Sequence, residues 1–174
     1  MICGMTAAGI ARLFLALWPD DSTRAALAQC RDAWAWHAGA AQEPTERLHL
    51  TLHFLGAVPQ RRLPELIDGL RVPCGRFTLC LDCVQRWPND IAVLTPVAVP
   101  QALLALHAAL RDGIEGLDLA TEIRRWRPHV TLARHAGDSA VPAQTSPVHW
   151  HVHGYALVAS HAVTRDYAVL RHYG

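Results

Sequence analysis

Two short stretches of this chain repeat one pattern, Leu48-His-Leu-Thr-Leu52 and Pro128-His-Val-Thr-Leu132. In each stretch a histidine and a threonine alternate with apolar residues. Because successive side chains of a β-strand point to opposite faces, each stretch predicts a strand with one polar and one apolar face. The two strands would each present an imidazole and a hydroxyl; these four side chains, here called the motif residues, are His49, Thr51, His129 and Thr131.

The rest of the chain places these two strands in an α+β order. Strands are predicted at residues 12–18, 48–55, 76–84, 91–95, 129–134, 148–160 and 167–172. Helices are predicted after the capping cluster Asp20-Asp21-Ser22, over residues 59–70 and from Pro100 onward, with loops over 39–47 and 135–147. Runs of strands with few helices between them favour an α+β fold over a doubly wound sheet.

The composition indicates one globular domain over residues 1–174. Hydrophobic residues make up 51% of the chain and charged residues 18%, which excludes an intrinsically disordered chain. We expect residues 1–11 to be a poorly ordered N-terminal extension. The apolar run Leu13–Trp18 is too short for a transmembrane helix and lacks the features of a signal peptide. The sequence therefore predicts a soluble, cytoplasmic protein.

The charge of the chain limits the chemistry that it can perform. The formal net charge is only +1, so bulk attraction to polyanions is not expected, although a local basic cleft is compatible with it. All 16 basic residues are arginines. The absence of lysine from the sequence excludes a Schiff-base lysine or a P-loop lysine.

The motif residues suit the chemistry of a phosphodiester. Histidine is the side chain whose unperturbed pKa allows it to act as acid or base near neutral pH, and two facing imidazoles can form an acid–base pair. Threonine hydroxyls can donate hydrogen bonds to the non-bridging oxygens of a phosphate. The alternative is a pair of half-exposed strands whose polar faces simply meet water.

Several other residues have both a functional and a structural interpretation. Cys80-x-x-Cys83 is half of a zinc motif without a second half, and the alternating His149, His151 and His153 are candidate metal ligands. We expect reduced thiols and a solvated strand face instead, with no metal and no cofactor. Their role is otherwise undetermined by the sequence.

Buried positions are expected for three further residues. His107 lies on the apolar stripe of a predicted helix, which indicates a hydrogen-bonded core residue. Trp34 and Trp150 lie on apolar faces and are expected in the core rather than against a nucleobase. The face on which Phe14 lies is left open by the pattern.

With their flanks, the two motifs resemble the signature of the 2H phosphoesterases. The flanking residues are similar to the RNA 2′,3′-cyclic phosphodiesterase branch, historically called 2′-5′ RNA ligases. They are Arg12-Leu-Phe-Leu-Ala-Leu17, Leu48-His-Leu-Thr-Leu-His-Phe-Leu-Gly56, Arg127-Pro-His-Val-Thr-Leu-Ala-Arg134, and Leu157-Val-Ala-Ser160 followed by Tyr167. The resemblance runs from about Arg12 to the end of the chain.

The resemblance implies a bilobal α+β fold, in which two pseudo-symmetric lobes of antiparallel sheet with outer helices enclose a central cleft. It implies metal-independent hydrolysis of a 2′,3′-cyclic phosphate to a 2′-phosphate. His129 would activate water, His49 would protonate the ribose 3′ oxygen, and Thr51 and Thr131 would hold the phosphate. Arg134 is a further candidate phosphate contact, with a surface or structural ion pair as its alternative.

Two alternative functions use the same cleft. One is ATP-independent 2′-5′ RNA ligation, in which the roles of the two histidines are exchanged. The other is a nucleotide- or RNA-binding module without catalysis. The expected partners are RNA ends or cyclic nucleotides that carry a 2′,3′-cyclic phosphate, with no membrane, and a monomer is expected.

One residue departs from the family pattern. A lysine or arginine is common in the family where His53 stands. His53 has the same parity as His49 and Thr51, so an unbroken strand would place it at the rim of the cleft.

Overall fold

Ten strands and three α-helices form in the parts of the chain that the computed structural model describes, residues 9–123, 125–161 and 166–174. The strands are β1 (Ile10–Leu17), β2 (Ala41–Gln42), β3 (Leu50–Pro59), β4 (Phe77–Leu81), β5 (Cys83–Trp87), β6 (Ile91–Thr95), β7 (Val130–Arg134), β8 (Val148–Val152), β9 (Tyr155–Ser160) and β10 (Tyr167–Tyr173). The helices are α1 (Asp21–Asp32), α2 (Leu63–Gly69) and α3 (Gln101–Gly116). None of the described helices has the length and apolar character needed to span a membrane.

The strands form two antiparallel sheets. The larger has eight strands, seven of them in the order β10-β9-β1-β3-β7-β6-β5, and the short β2 pairs with β7. The smaller consists of β4 and β8. The two motif-bearing strands, β3 and β7, are neighbours at the middle of the larger sheet. The α+β fold and its antiparallel sheets are confirmed.

Strand β1 is buried on both faces. Leu13, Leu15 and Leu17 belong to the main core that includes the inner faces of the helices. Phe14 and Ala16 point to the other side of the sheet and form a smaller cluster with residues of β9. This second face of β1 therefore forms an apolar cluster on the side of the sheet opposite the main core.

Local sequence signals fix the helix starts. The Asp20 carboxylate accepts a hydrogen bond of 2.7 Å from the backbone N–H of Thr23 and so caps α1 as predicted. Pro100 directly precedes α3, whose buried side chains Leu103, Leu106, Leu110 and Ile114 recur at helical spacing. Strand β1 begins at Ile10, two residues before the predicted start, and residues 1–8 of the expected extension lie outside the described residues.

Two predicted strands were wrong in their extent. Residues 76–84 form two strands, β4 and β5, which part at Asp82 and join different sheets. Residues 148–160 likewise divide into β8 and β9. At Gly154 the backbone passes so close to β10 that a Cβ atom would clash with the carbonyl oxygen of Tyr173. The alternating pattern continues through both breaks, so it did not reveal them.

Candidate active site

The pairing of β3 with β7 brings the motif residues together. Leu50 lies opposite Val130 in antiparallel register, and both side chains are fully buried. Continuing this register by one residue in each direction sets each motif histidine beside the threonine of the other strand. All four motif residues are half-buried, in contrast to the apolar residues between them. Both histidines directly precede their strands rather than lying within them.

The two imidazoles are held by the same type of contact. His49 Nδ1 bonds the carbonyl oxygen of Arg47, and His129 Nδ1 bonds that of Arg127 at 2.7 Å. A carbonyl oxygen can only accept, so Nδ1 donates in both rings. In the neutral tautomer the lone pair therefore resides on Nε2, which in His49 lies 3.0 Å from Thr51 Oγ1. Nε2 is therefore the ring nitrogen that can accept a proton in the neutral tautomer.

Three aromatic rings enclose the His49 imidazole. Trp18 stacks on it with ring centres 5.7 Å apart and planes inclined by 24°. Phe14 lies 5.0 Å away, and Tyr167 meets the imidazole edge-on at 5.4 Å. These rings come from β1, the turn after it and β10, so Phe14 is now placed on the side of the motif residues.

This enclosure changes the acidity of His49. Burial lowers its pKa to about 4, because the aromatic surroundings solvate the imidazolium poorly. The hydrogen bond to the Arg47 carbonyl acts in the opposite direction, whereas the positive charges of His129 and Arg24 lower the pKa further. In the protein without ligand, His49 is therefore neutral near pH 7.

His129 has a different aromatic neighbour. The ring of Trp87 lies 4.5 Å from the imidazole with the planes inclined by 51°, and the Arg127 guanidinium carbon lies 4.0 Å above the Trp87 ring. Trp87 ends β5, where Asn89 and Asp90 adopt positive φ values of 64° and 57° in the tight turn to β6. The predicted turn therefore positions Trp87 at the site.

The segment that leads to His49 is anchored by Arg24. Its guanidinium donates hydrogen bonds to the carbonyl oxygens of Pro19, Thr45, Glu46 and Leu48. Arginine presents five N–H groups in a rigid fork, which suits it to hold several carbonyls at once. Arg24 thus ties the start of α1 to the turn before β3.

The expectation that His53 lies at the cleft rim was wrong. Thr51 pairs with Ala16 and His53 with Leu15, so Leu52 is an extra residue in β3 and forms a β-bulge. The bulge turns His53 into the core, where only 6% of it is exposed. Its Nε2 donates to the carbonyl oxygen of His107 at 2.8 Å.

A stack of three rings lies behind the motif residues. His107 packs between His53 and Trp126, with 4.0 Å between ring centres on each side. His107 is 7% exposed and its burial lowers its pKa to about 4, which confirms its prediction as a core residue. Trp126 Nε1 donates to the carbonyl oxygen of Thr51 at 3.1 Å. The stack thus connects α3, β3 and the residues before β7.

Arg134 takes part in an ion pair. Its Nε lies 3.4 Å from Glu43 Oε1, and 56% of its side chain is exposed. Thr131 pairs with Val93 and Ala133 with Ala92, so Leu132 is an extra residue of β7, and simple alternation does not place Arg134 relative to Thr131. The contact with Glu43 is the ion pair that the sequence allowed as the alternative to phosphate contact.

The remaining candidates lie apart from the motif residues. The three alternating histidines of residues 149–153 are exposed, Cys80 and Cys83 are unpaired thiols, and both Trp34 and Trp150 are buried as predicted. Within the described ranges, no three side chains of the His, Cys, Asp and Glu types are grouped so that they could hold a metal ion.

Sequence reasoning did not assign the aromatic rings around the two imidazoles. Trp18, Trp87 and Tyr167 are far apart in sequence and reach the two imidazoles only through strand pairing. A usable signal existed for Phe14 alone. It alternates with Leu13 and Leu15, so it must point away from the main core once β1 is known to be buried on both faces.

Comparison with known proteins gives consistent matches. The model of the 2′-5′ RNA ligase superfamily matches residues 19–166. An RNA 2′,3′-cyclic phosphodiesterase of Thermus thermophilus is 33% identical over 164 residues, which cover 86% of this chain and 81% of that protein. The crystal structure of Escherichia coli LigT complexed with 3′-AMP has a TM-score of 0.83 at 26% identity, over 95% of this chain and 98% of that one. The crystal structure of TT0787 of Thermus thermophilus has a TM-score of 0.73 at 28% identity, over 93% and 96%.

Proposed function

This chain belongs to the 2′-5′ RNA ligase superfamily of 2H phosphoesterases, and we propose that it hydrolyses RNA or nucleoside 2′,3′-cyclic phosphate ends to 2′-phosphates. The observation that carries the proposal is the convergence of two His-x-Thr motifs on paired strands, with both imidazoles oriented by a backbone carbonyl. The name of the Thermus thermophilus relative supports the same reaction.

The proposed reaction needs two proton transfers and no metal. His129 removes a proton from water as the water oxygen attacks phosphorus. The bond from phosphorus to the ribose 3′ oxygen breaks, and His49 gives its proton to that oxygen, which leaves a 2′-phosphate. The Thr51 and Thr131 hydroxyls donate hydrogen bonds to the non-bridging oxygens.

The low pKa of His49 is compatible with an acid role in the complex. An anionic phosphate beside Nε2 favours the imidazolium and raises its pKa relative to the unliganded protein. Thr51 Oγ1 already lies 3.0 Å from this nitrogen, so one phosphate oxygen can contact both groups. In the alternative, ATP-independent 2′-5′ ligation, the 5′-hydroxyl of a second RNA replaces water and attacks the phosphorus of the cyclic phosphate. The bond to the ribose 3′ oxygen breaks and a 2′-5′ linkage forms, and in the reverse reaction the two histidines exchange roles.

The test is product analysis with a nucleoside 2′,3′-cyclic phosphate in the presence of EDTA. The expected product is the nucleoside 2′-phosphate, separated from the 3′-isomer by chromatography. A 3′-phosphate would contradict the proposed leaving group, and activity that EDTA abolishes would contradict the metal-independent mechanism. Binding without turnover of mononucleotides or RNA oligomers would instead identify a binding module.

A further inference from the structure

Arginine guanidinium groups cover three of the aromatic rings around the motif histidines. The distances from the guanidinium carbon to the ring centre are 5.2 Å for Arg24 on Trp18, 5.7 Å for Arg47 on Tyr167 and 4.0 Å for Arg127 on Trp87. The first two rings lie beside His49, and the third lies beside His129. The three arginines differ in what else they bind.

Two of these arginines are committed to the protein. The Arg24 guanidinium is used by four backbone carbonyls. Arg47 Nη2 lies 3.6 Å from an Asp166 carboxylate oxygen, which neutralises part of its charge. On the His49 side of the site, both positive charges therefore already have partners.

Arg127 is the exception. It is exposed, and among the described residues no carboxylate lies within ion-pair distance of its guanidinium, which rests on the face of Trp87. Since Trp87 is 4.0 Å from this guanidinium and 4.5 Å from the His129 ring, Arg127 Cζ can be no more than about 8.5 Å from the centre of that ring. A guanidinium without a carboxylate partner among the described residues thus lies one ring away from the His129 imidazole.

We propose that Arg127, held by Trp87, binds the backbone phosphate of the nucleotide that precedes the cyclic phosphate end, so that the preferred substrates are RNA oligomers rather than mononucleotides. This inference rests on the proposed function of the same site. A guanidinium matches the geometry of a phosphate with two parallel hydrogen bonds, and stacking on Trp87 fixes the direction of the fork. The RNA chain accordingly leaves the site on the His129 side.

The test compares uridine 2′,3′-cyclic phosphate with a short oligouridylate that ends in the same cyclic phosphate. Wild-type protein is expected to have the higher kcat/KM on the oligomer. Arg127→Gln should lower kcat/KM on the oligomer by about five- to tenfold, the effect of one exposed charged contact, and should lower it less on the mononucleotide. The matched control is Arg61→Gln, which removes the same charge from an exposed residue just beyond the distant end of β3.

Salt dependence provides a second readout. Each phosphate contact to single-stranded nucleic acid contributes a slope of about −0.7 to the plot of log affinity against log salt concentration. For the oligomer, Arg127→Gln should make this slope shallower by about 0.7, whereas Arg127→Lys, which keeps the charge, should retain most of it. Arg61→Gln should leave the slope at its wild-type value.

The outcomes separate this inference from the proposed function. Equal losses on both substrates, with an unchanged salt slope, would overturn the chain-phosphate role of Arg127 while hydrolysis itself stands. A wild-type protein without preference for the oligomer would overturn it as well. Absence of turnover on both substrates would contradict the proposed function. If, in that case, oligomer binding were also insensitive to Arg127→Gln and to salt, the subsite would be overturned too.

Discussion

Leu50 lies directly opposite Val130, and this is the single residue pair that joins β3 to β7 in the register of the described strands. On one side of this junction β10, β9, β1 and β3 pair with one another, and on the other side β7, β6 and β5 do. The short β2 pairs with β7. The backbone register that sets the two motif histidines side by side therefore rests on this one pair, which is backed by the main core in which both Leu50 and Val130 are fully buried.

Removal of either motif histidine should abolish most turnover. His49→Ala and His129→Ala should each lower kcat on a cyclic phosphate by about 10²- to 10⁴-fold, because each deletes one proton transfer. His149→Ala, on the exposed face of β8, is the control and should keep full activity. Circular dichroism should show the same fold in all three variants. A wild-type kcat in either motif variant would refute the two-histidine mechanism.

The pH dependence of kcat/KM should show how strongly His49 is shielded. The pKa of His49 is about 4 because of burial, so the acidic limb of the profile should lie well below the usual histidine value near 6.5. Trp18→Ala exposes the imidazole to water and should raise this pKa, which moves the acidic limb upward by about one pH unit. The acidic limb follows the lower of the two histidine pKa values whichever ring is the acid, because both assignments need one neutral and one protonated ring.

Trp18→Phe is the appropriate comparison, because it keeps an aromatic ring against His49. Its acidic limb should stay close to that of the wild-type protein. The interpretation of the site would be contradicted by a limb near the ordinary histidine pKa of about 6.5 in the wild type, or by identical profiles for Trp18→Ala and wild type.

Much of the site could be predicted from sequence because strand alternation is local. The His-x-Thr spacing alone assigns His49 and Thr51 to one face, and the structure has both half-exposed there. The same rule failed for His53, because the bulge at Leu52 reverses the alternation and depends on the pairing with β1. Non-local contacts of this kind, such as Trp87 on His129, leave no periodic trace in the chain.

The buried His107 should make the protein less stable in mild acid. Its pKa is about 4 in the folded protein, since burial and the neighbouring charges of His53 and Arg111 disfavour the imidazolium, against about 6.5 when unfolded. Between these values the unfolded chain binds more protons, so the free energy of unfolding falls as the pH drops from about 6.5 to about 4. The contribution of His107 is on the order of 3 kcal/mol, and it is fully retained above about pH 6.5.

His107→Phe keeps a ring in the stack but cannot titrate. Urea unfolding at a series of pH values should therefore give a shallower decrease in stability below about pH 6.5 for this variant than for wild type. Part of the decrease should remain, because burial also lowers the pKa of His53 and His49. Parallel curves for the two proteins would show that His107 is protonated as easily in the fold as in the unfolded chain.

Trp126 should act on catalysis by positioning the motif strands. Its indole N–H donates to the carbonyl oxygen of Thr51 at 3.1 Å, and it stands three residues before His129, so it ties the two motifs together behind the site. Trp126→Phe keeps the ring on His107 but removes this hydrogen bond. Because a small displacement of a catalytic group can cost a large factor in rate, kcat should fall by about tenfold while KM changes little. A neutral hydrogen bond contributes about 1 kcal/mol, so the loss of stability should be small.

The matched control for this prediction is Trp34→Phe. Trp34 is also buried, but its Nε1 is the one buried side-chain nitrogen or oxygen in the described residues without a hydrogen-bond partner. Replacing it removes an unsatisfied N–H and should leave kcat unchanged without the same type of loss in stability.

If Trp126→Phe retains full kcat, then the Leu50–Val130 pair and the surrounding core are sufficient to align the motifs. If instead KM rises and kcat stays constant, Trp126 supports substrate binding rather than the alignment of His129 with Thr51.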